Sequence, residues 1–168
     1  MELKDIVATL AMTEMFENLS NSQLELVAAL CTRVELQAGQ TLFEENDDSN
    51  ELYIIIRGTI EILINPGLVG LAQGLPPARI TYLHQGQVLG EVALVDQGLR
   101  SATVRAVQNR TELLVLQRDR LMSLCETYPQ LGFQLMRNLA ADLALKIRNT
   151  DLAIRQLQLM LARSGHLP

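Results

Sequence analysis

The chain has no tryptophan and only three phenylalanines and three tyrosines, too few for a platform on which single-stranded bases could stack. Basic charge is short as well. Fourteen Lys and Arg stand against nineteen Asp and Glu, giving a formal charge of −5 and a pI near 5.0. Holding a phosphate backbone takes a concentrated basic surface, so nucleic acid is not an expected partner. The two cysteines, Cys31 and Cys125, lie far apart, with no CxxC and no histidine spaced to complete a metal cage. They read as buried, reduced thiols of a cytosolic protein. No apolar run reaches the length of a membrane span, and the first sixteen residues are too acidic for a signal peptide. A soluble cytoplasmic chain, without membrane or metal, is expected.

Catalytic signatures are missing too. There is no Gly-x-Ser-x-Gly, no HExxH and no Walker loop. Two histidines, His84 and His166, cannot supply the several ligands of a metal-dependent barrel enzyme. The acidic cluster Glu44–Asp48 lacks the order of an EF-hand loop and reads as solvated. The chain is not expected to be an enzyme.

What the sequence does hold is enough apolar residue, 48% of 168, for one domain with a long terminal helix. Leu3, Ile6, Val7 and Leu10 share a helical face, and Leu24, Val27, Ala28 and Cys31 do so again after a break. Ser20 with Gln23 matches a capping box opening the second helix. From Arg33 the period falls to two. Short strands are predicted around Val34–Leu36, Leu42–Phe43, Leu52–Ile56, Thr59–Ile64, Arg79–Leu83, Ala102–Val107 and Glu112–Leu116. Arg57-Gly58 reads as the turn of a hairpin between two of them. Residues 65–78 hold three Gly and three Pro and read as a loop. Such spacing predicts a mainly β fold, an antiparallel β-roll or jelly-roll barrel, flanked by helices.

A short helix is predicted near Asp119–Glu126, then a long one from Pro129 to about Arg163. Leu131, Leu135 and Leu139 form one apolar stripe, enough to dock on the roll. A second stripe puts Ile147, Ile154 and Leu161 at a and Leu143, Thr150 and Leu157 at d, the pattern of a parallel two-stranded coiled coil. We expect residues 1–128 to form the roll with its leading helices and 129–168 to serve as lid and homodimer contact. Packing of both stripes within one subunit is the alternative.

The segment Gly86–Val104 carries chemistry. Gly90 allows close backbone approach, and Glu91–Val95 is long enough for one helical turn whose first N–H groups favour an anion. Arg100 offers a planar fork to two phosphate oxygens. Glu91 beside an anion site needs its own partner, and a ribose hydroxyl is the obvious one. An Arg100 merely paired with Glu91 or Asp96 is the bland alternative.

Leu89-Gly90-Glu91-Val92-Ala93-Leu94 and Arg100-Ser101-Ala102-Thr103-Val104 resemble the phosphate-binding cassette of cyclic nucleotide-binding domains. Leu52–Gly58 and the long helix are similar to that family's strand pair and terminal helix. The resemblance implies a double-stranded β-helix fold and a cyclic nucleotide ligand. It implies that Glu91 accepts from a ribose hydroxyl, that Arg100 and the Ser101 hydroxyl meet the cyclic phosphate, and that backbone around Gly90, Val92, Ala93 and Ala102 lines the site. A serine at 101 resembles bacterial cyclic-AMP binders, so cyclic AMP is favoured over cyclic GMP. Leu89 and Leu99 replace an aromatic and a proline that are common in the family. Relatives bring a helix hydroxyl to the base, yet counting from Pro129 that neighbourhood is Lys146-Ile147, with Thr150 about a turn later. The resemblance also implies a regulatory sensor signalling to an unidentified effector protein, stand-alone because no helix-turn-helix follows the long helix. The rival expectation is a degenerate fold kept for dimerisation or assembly, without nucleotide.

Overall fold

Leu52–Arg57 carries apolar side chains at consecutive positions, and the computed structural model, which describes residues 2–65 and 76–163, shows why. The elements, in chain order, are α1 (Leu3–Ala11), a 3-10 turn (Glu14–Phe16), α2 (Asn21–Ala28), β1 (Thr32–Leu36), β2 (Thr41–Phe43), β3 (Leu52–Arg57) and β4 (Thr59–Ile64). After these come β5 (Ala78–His84), β6 (Val88–Leu89), α3 (Glu91–Asp96), β7 (Thr103–Ala106), β8 (Thr111–Leu116), α4 (Arg118–Thr127) and α5 (Pro129–Arg163). The strands form two four-stranded antiparallel sheets, ordered β1-β8-β3-β6 and β2-β7-β4-β5.

The first sheet is covered on both faces. Tyr53, Ile55 and Leu113 point inward against Phe43, Ile60 and Val104 of the second sheet. Leu52, Ile54, Leu114 and Leu116 point outward against Leu10, Phe16, Leu94, Leu121 and Leu135 of the helices. A strand buried on both faces reads as a continuous apolar run, because neither face meets water. In β4, part of the outer sheet, Ile60 is buried while its neighbours Thr59 and Glu61 are half-buried. The result is a helical layer, a central sheet and an outer sheet.

Two expectations change. The sheets do not close into a barrel; they lie face to face as an open roll. Nor does Arg57-Gly58 turn a hairpin. β3 pairs with β6 and β8, and β4 pairs with β5 and β7, so the chain crosses there from one sheet to the other. Gly58 has φ +100°, and a Cβ on it would sit 2.5 Å from Thr111 Oγ1. A sharp corner against a neighbouring strand has the same local signature as a hairpin turn.

The helices lie where they were expected. Ser20 Oγ accepts from Gln23 N–H at 3.3 Å, and Gln23 Oε1 accepts from Ser20 N–H at 2.8 Å, the reciprocal capping box at the start of α2. Helix α5 runs 35 residues, roughly 52 Å at 1.5 Å per residue. Leu131, Leu135 and Leu139 are buried against the core. Asn138 Nδ2 donates to the carbonyls of Met15 and Glu17, at 3.1 and 2.8 Å, tying α5 to the 3-10 turn. Beyond Leu143 the apolar residues, Leu145, Ile147, Leu152, Ile154 and Leu157 among them, are exposed. The Gly/Pro-rich loop read at 65–78 falls mostly outside the described residues, and His166 wholly so. Among the described residues no helix is long and apolar enough to cross a membrane.

The two halves of α5 therefore differ energetically. Leu135→Ala is expected to cost about 2–5 kcal/mol of unfolding free energy in urea, the range for emptying a packed site. Leu152→Ala, on the exposed half, is expected to stay within about 0.5 kcal/mol. Equal losses would contradict this division of the helix.

Candidate functional site

The inner face of the outer sheet supplies a floor of Phe43, Ile62, Leu83 and Val104, and α3 with Arg100 closes one side over it. The cavity, open to solvent on one side, measures ≈ 190 Å³. All seven residues singled out in the sequence, Gly90, Glu91, Val92, Ala93, Arg100, Ser101 and Ala102, line it.

Arg100 is the most constrained of them, with only 4% of its surface exposed. Its guanidinium lies over the Phe43 ring at 4.1 Å from the centroid, a cation–π stack. Nε donates to Ser49 Oγ at 2.7 Å, and Nη2 donates to the Glu51 carbonyl at 2.8 Å and to its carboxylate at 3.5 Å. Burial pushes the pKa of the guanidinium down, while Tyr53 and the carboxylates of Glu51, Asp47 and Glu91 push it up. An arginine nevertheless remains charged in a protein. Neither Glu91 nor Asp96 hydrogen-bonds the guanidinium, so the bland pairing is not what holds it. Nη1 is buried and has no hydrogen-bond partner among the described residues, the single such side-chain atom there. A buried charged donor left without an acceptor is costly. Arg100 lines the cavity, and a cationic side chain with a donor atom to spare fits an anion.

The segment 44–50, read from sequence as solvated, grips this arginine. Asn46 N–H donates to the Arg100 carbonyl at 2.8 Å, and Arg100 N–H donates to the Asp47 carbonyl at 3.0 Å. Arg100 itself precedes β7 by three residues and lies in this paired loop. Gly90 caps α3 in the left-handed conformation, φ +84°. A Cβ there would lie 2.6 Å from both Arg100 Nη1 and the Glu51 carbonyl, so only glycine leaves the guanidinium its place. Ala93 and Leu94 are buried, and Leu94 packs into the helical core. Its carbonyl accepts from Arg118 Nε of α4 at 3.0 Å. Val92 and Ser101 are exposed at the rim and Ala102 is half-buried.

Glu91 is 8% exposed, and its Oε1 accepts from Lys146 Nζ of α5 at 2.7 Å. Lys146 also pairs with Asp142 at 2.9 Å. Thr150 turns away, donating its hydroxyl to the Lys146 carbonyl one turn back. The helix residue that reaches the cradle is thus Lys146. A second cavity of ≈ 270 Å³ adjoins the first and shares Leu83, Val88, Glu91 and Lys146 with it. Phe43, Ser49 and Glu51 were not identified as site residues from sequence: Phe43 read only as a strand residue, and Ser49 and Glu51 lie in or beside a polar stretch of a kind that usually faces water.

The cyclic nucleotide-binding domain model matches residues 33–128. The cyclic AMP receptor protein of Thermus thermophilus is 31% identical over 150 residues, covering 89% of this chain and 64% of that protein. The crystal structure of the Thermus thermophilus catabolite activator protein superposes with a TM-score of 0.73 at 27% identity, over 91% of this chain and 72% of that one. A cyclic nucleotide-binding domain from Methylobacillus flagellatus superposes at 0.76 with 21% identity, over 92% and 83%, a likeness of fold. The chain spans less than two thirds of the length of the curated relatives it matches.

Gly90→Ala is expected to lower stability by roughly 1–3 kcal/mol, from backbone strain and the displaced guanidinium. Because part of that loss is a clash with Arg100, Gly90→Ala and Arg100→Ala together should lose less than the sum of the two single changes. Strictly additive losses in urea titrations would show that the two residues do not meet.

Proposed function

The chain belongs to the cyclic nucleotide-binding domain family, and on that premise we propose that it binds a cyclic nucleotide in the Gly90–Arg100 cradle, cyclic AMP in preference to cyclic GMP. The observation that carries this reading is the buried Arg100 Nη1, which has no acceptor among the described residues. The exocyclic oxygens of a cyclic phosphate are acceptors of the right charge for it. Glu91 keeps Oε2 for a ribose hydroxyl, since only Oε1 is engaged by Lys146. The preference for adenine is supported by Ser101 and by the likeness to a cyclic AMP receptor protein.

The protein acts in this reading as a regulatory module and not as an enzyme. Ligand draws the α3 turn inward, α5 shifts over the base, and an effector protein senses the new helix position. Two free cysteines accord with a cytoplasmic home. The exposed stripe through Ile147, Ile154 and Leu157 supports a homodimer through the distal half of α5.

Calorimetric titration with cyclic AMP and cyclic GMP, on protein unfolded and refolded to strip carried ligand, tests the reading. Binding by native protein and at least about a hundredfold loss in Arg100→Ala are expected, in line with removing one partner of a buried charge pair. No heat with either nucleotide from folded protein would favour the rival, an assembly module that keeps the fold without nucleotide. For the dimer, Ile147→Glu with Ile154→Glu is expected to halve the mass found by light scattering. An unaltered dimer would remove that seam.

A further inference from the structure

Lys146 stands between two acids, with Nζ 2.7 Å from Glu91 Oε1 and 2.9 Å from Asp142 Oδ2. Burial alone would lower its pKa, but the hydrogen bonds to both carboxylates outweigh that and raise it, so the ammonium stays charged. Glu91 Oε2 makes no hydrogen bond among the described residues. The carboxylate is thus held by one oxygen and open at the other.

The charges around the cradle sharpen the point. Glu51, Asp47 and Glu91 all act on Arg100, and Asp142 joins Glu91 at Lys146. Four carboxylates face two cations. An anionic ligand entering such a site meets repulsion, which Lys146 offsets where it is strongest, at the acid nearest the cavity. Without Lys146 the Glu91 carboxylate would be a nearly buried charge without its hydrogen-bonding cation.

Resting on the nucleotide reading above, we propose that Lys146 of α5 is a positioning residue of the cradle. It fixes Glu91 through Oε1 so that Oε2 meets a ligand hydroxyl, and it adds a second positive charge to the lining of the cavity. A single contact then makes the strength of ligand binding depend on where α5 lies.

The test is calorimetry on the full chain with cyclic AMP and cyclic GMP, each beside its 2′-deoxy counterpart. The proteins are native, Lys146→Arg, Lys146→Met and Glu91→Gln. The Lys146 side chain is 46% exposed, so the variants are expected to fold, and thermal melts check this. Lys146→Met should bind at least about tenfold more weakly, while Lys146→Arg stays within about threefold. The native preference for the hydroxylated ligand should shrink in Lys146→Met as it does in Glu91→Gln, a change that a purely structural lysine would not cause. Unchanged or tighter binding by Lys146→Met, with hydroxyl discrimination intact, would overturn the proposal and make Lys146 a bystander or a plug. Failure of folded native protein to bind either nucleotide overturns this proposal together with the reading it rests on; the two failures differ in the protein that shows them.

Discussion

A guanidinium taken almost wholly out of water has to be held by something, and the geometry around residue 100 follows from that need. Phe43 gives the cation a π-face, Ser49 and Glu51 take three of its hydrogen bonds, and the 44–50 segment pairs with its backbone. Gly90 lacks a side chain because the guanidinium fills that space. The holders come from β2, from the loop before β3 and from the start of α3, so one buried charge draws together parts of the chain distant in sequence. Nη1 still has no partner among the described residues. A fold built for stability alone would replace such an arginine by an apolar residue of similar volume; keeping it reads as a cost borne for binding.

The opposite wall of the cradle is made differently. Glu91 belongs to a six-residue helix whose Leu94 is locked into the helical core, and its partner Lys146 comes from a helix anchored at Leu131, Leu135 and Leu139. One wall is therefore integral to the roll, while the other is shared with α5. Movement of α5 relative to the roll changes the acid that would meet the sugar and leaves the arginine that would meet the phosphate in place. In the proposed reading, phosphate capture and helix response would fall on two residues nine positions apart, Arg100 and Glu91.

Signals that are local survived the passage from sequence to structure. The Ser20–Gln23 capping box, the break at Pro129 and the Leu131/Leu135/Leu139 stripe depend on neighbours within a turn or two, and each is where the residues placed it. The seven residues singled out between Gly90 and Ala102 were legible for the same reason: they are close in sequence, and all seven line one cavity. What was not legible depends on partners far away. Arg57-Gly58 has the chemistry of a turn whether the following strand pairs back or crosses to another sheet, and the choice is made by β7 and β8. Val88–Leu89 is too short to announce a strand, and becomes one only because Tyr53 and Ile54 pair with it. Ser49 and Glu51 look like solvated polar residues until Arg100 arrives some fifty positions later.

The central sheet has β8 in its middle, paired on one side with β1, from Thr32 opposite Val115, and on the other with β3, from Leu52 opposite Leu116. The strand that joins the sheet together is the last to be made. During synthesis from the N-terminus, β1 and β3 leave the ribosome well before the segment that completes both, and until Leu116 has emerged they present open edges and apolar faces. Long sequence separation between paired strands also slows folding, since loops must close before contacts repay them. This order of assembly leaves the half-made chain with unpaired edges prone to aggregation, and it gives truncation just before Thr111 a different penalty from truncation within the exposed end of α5.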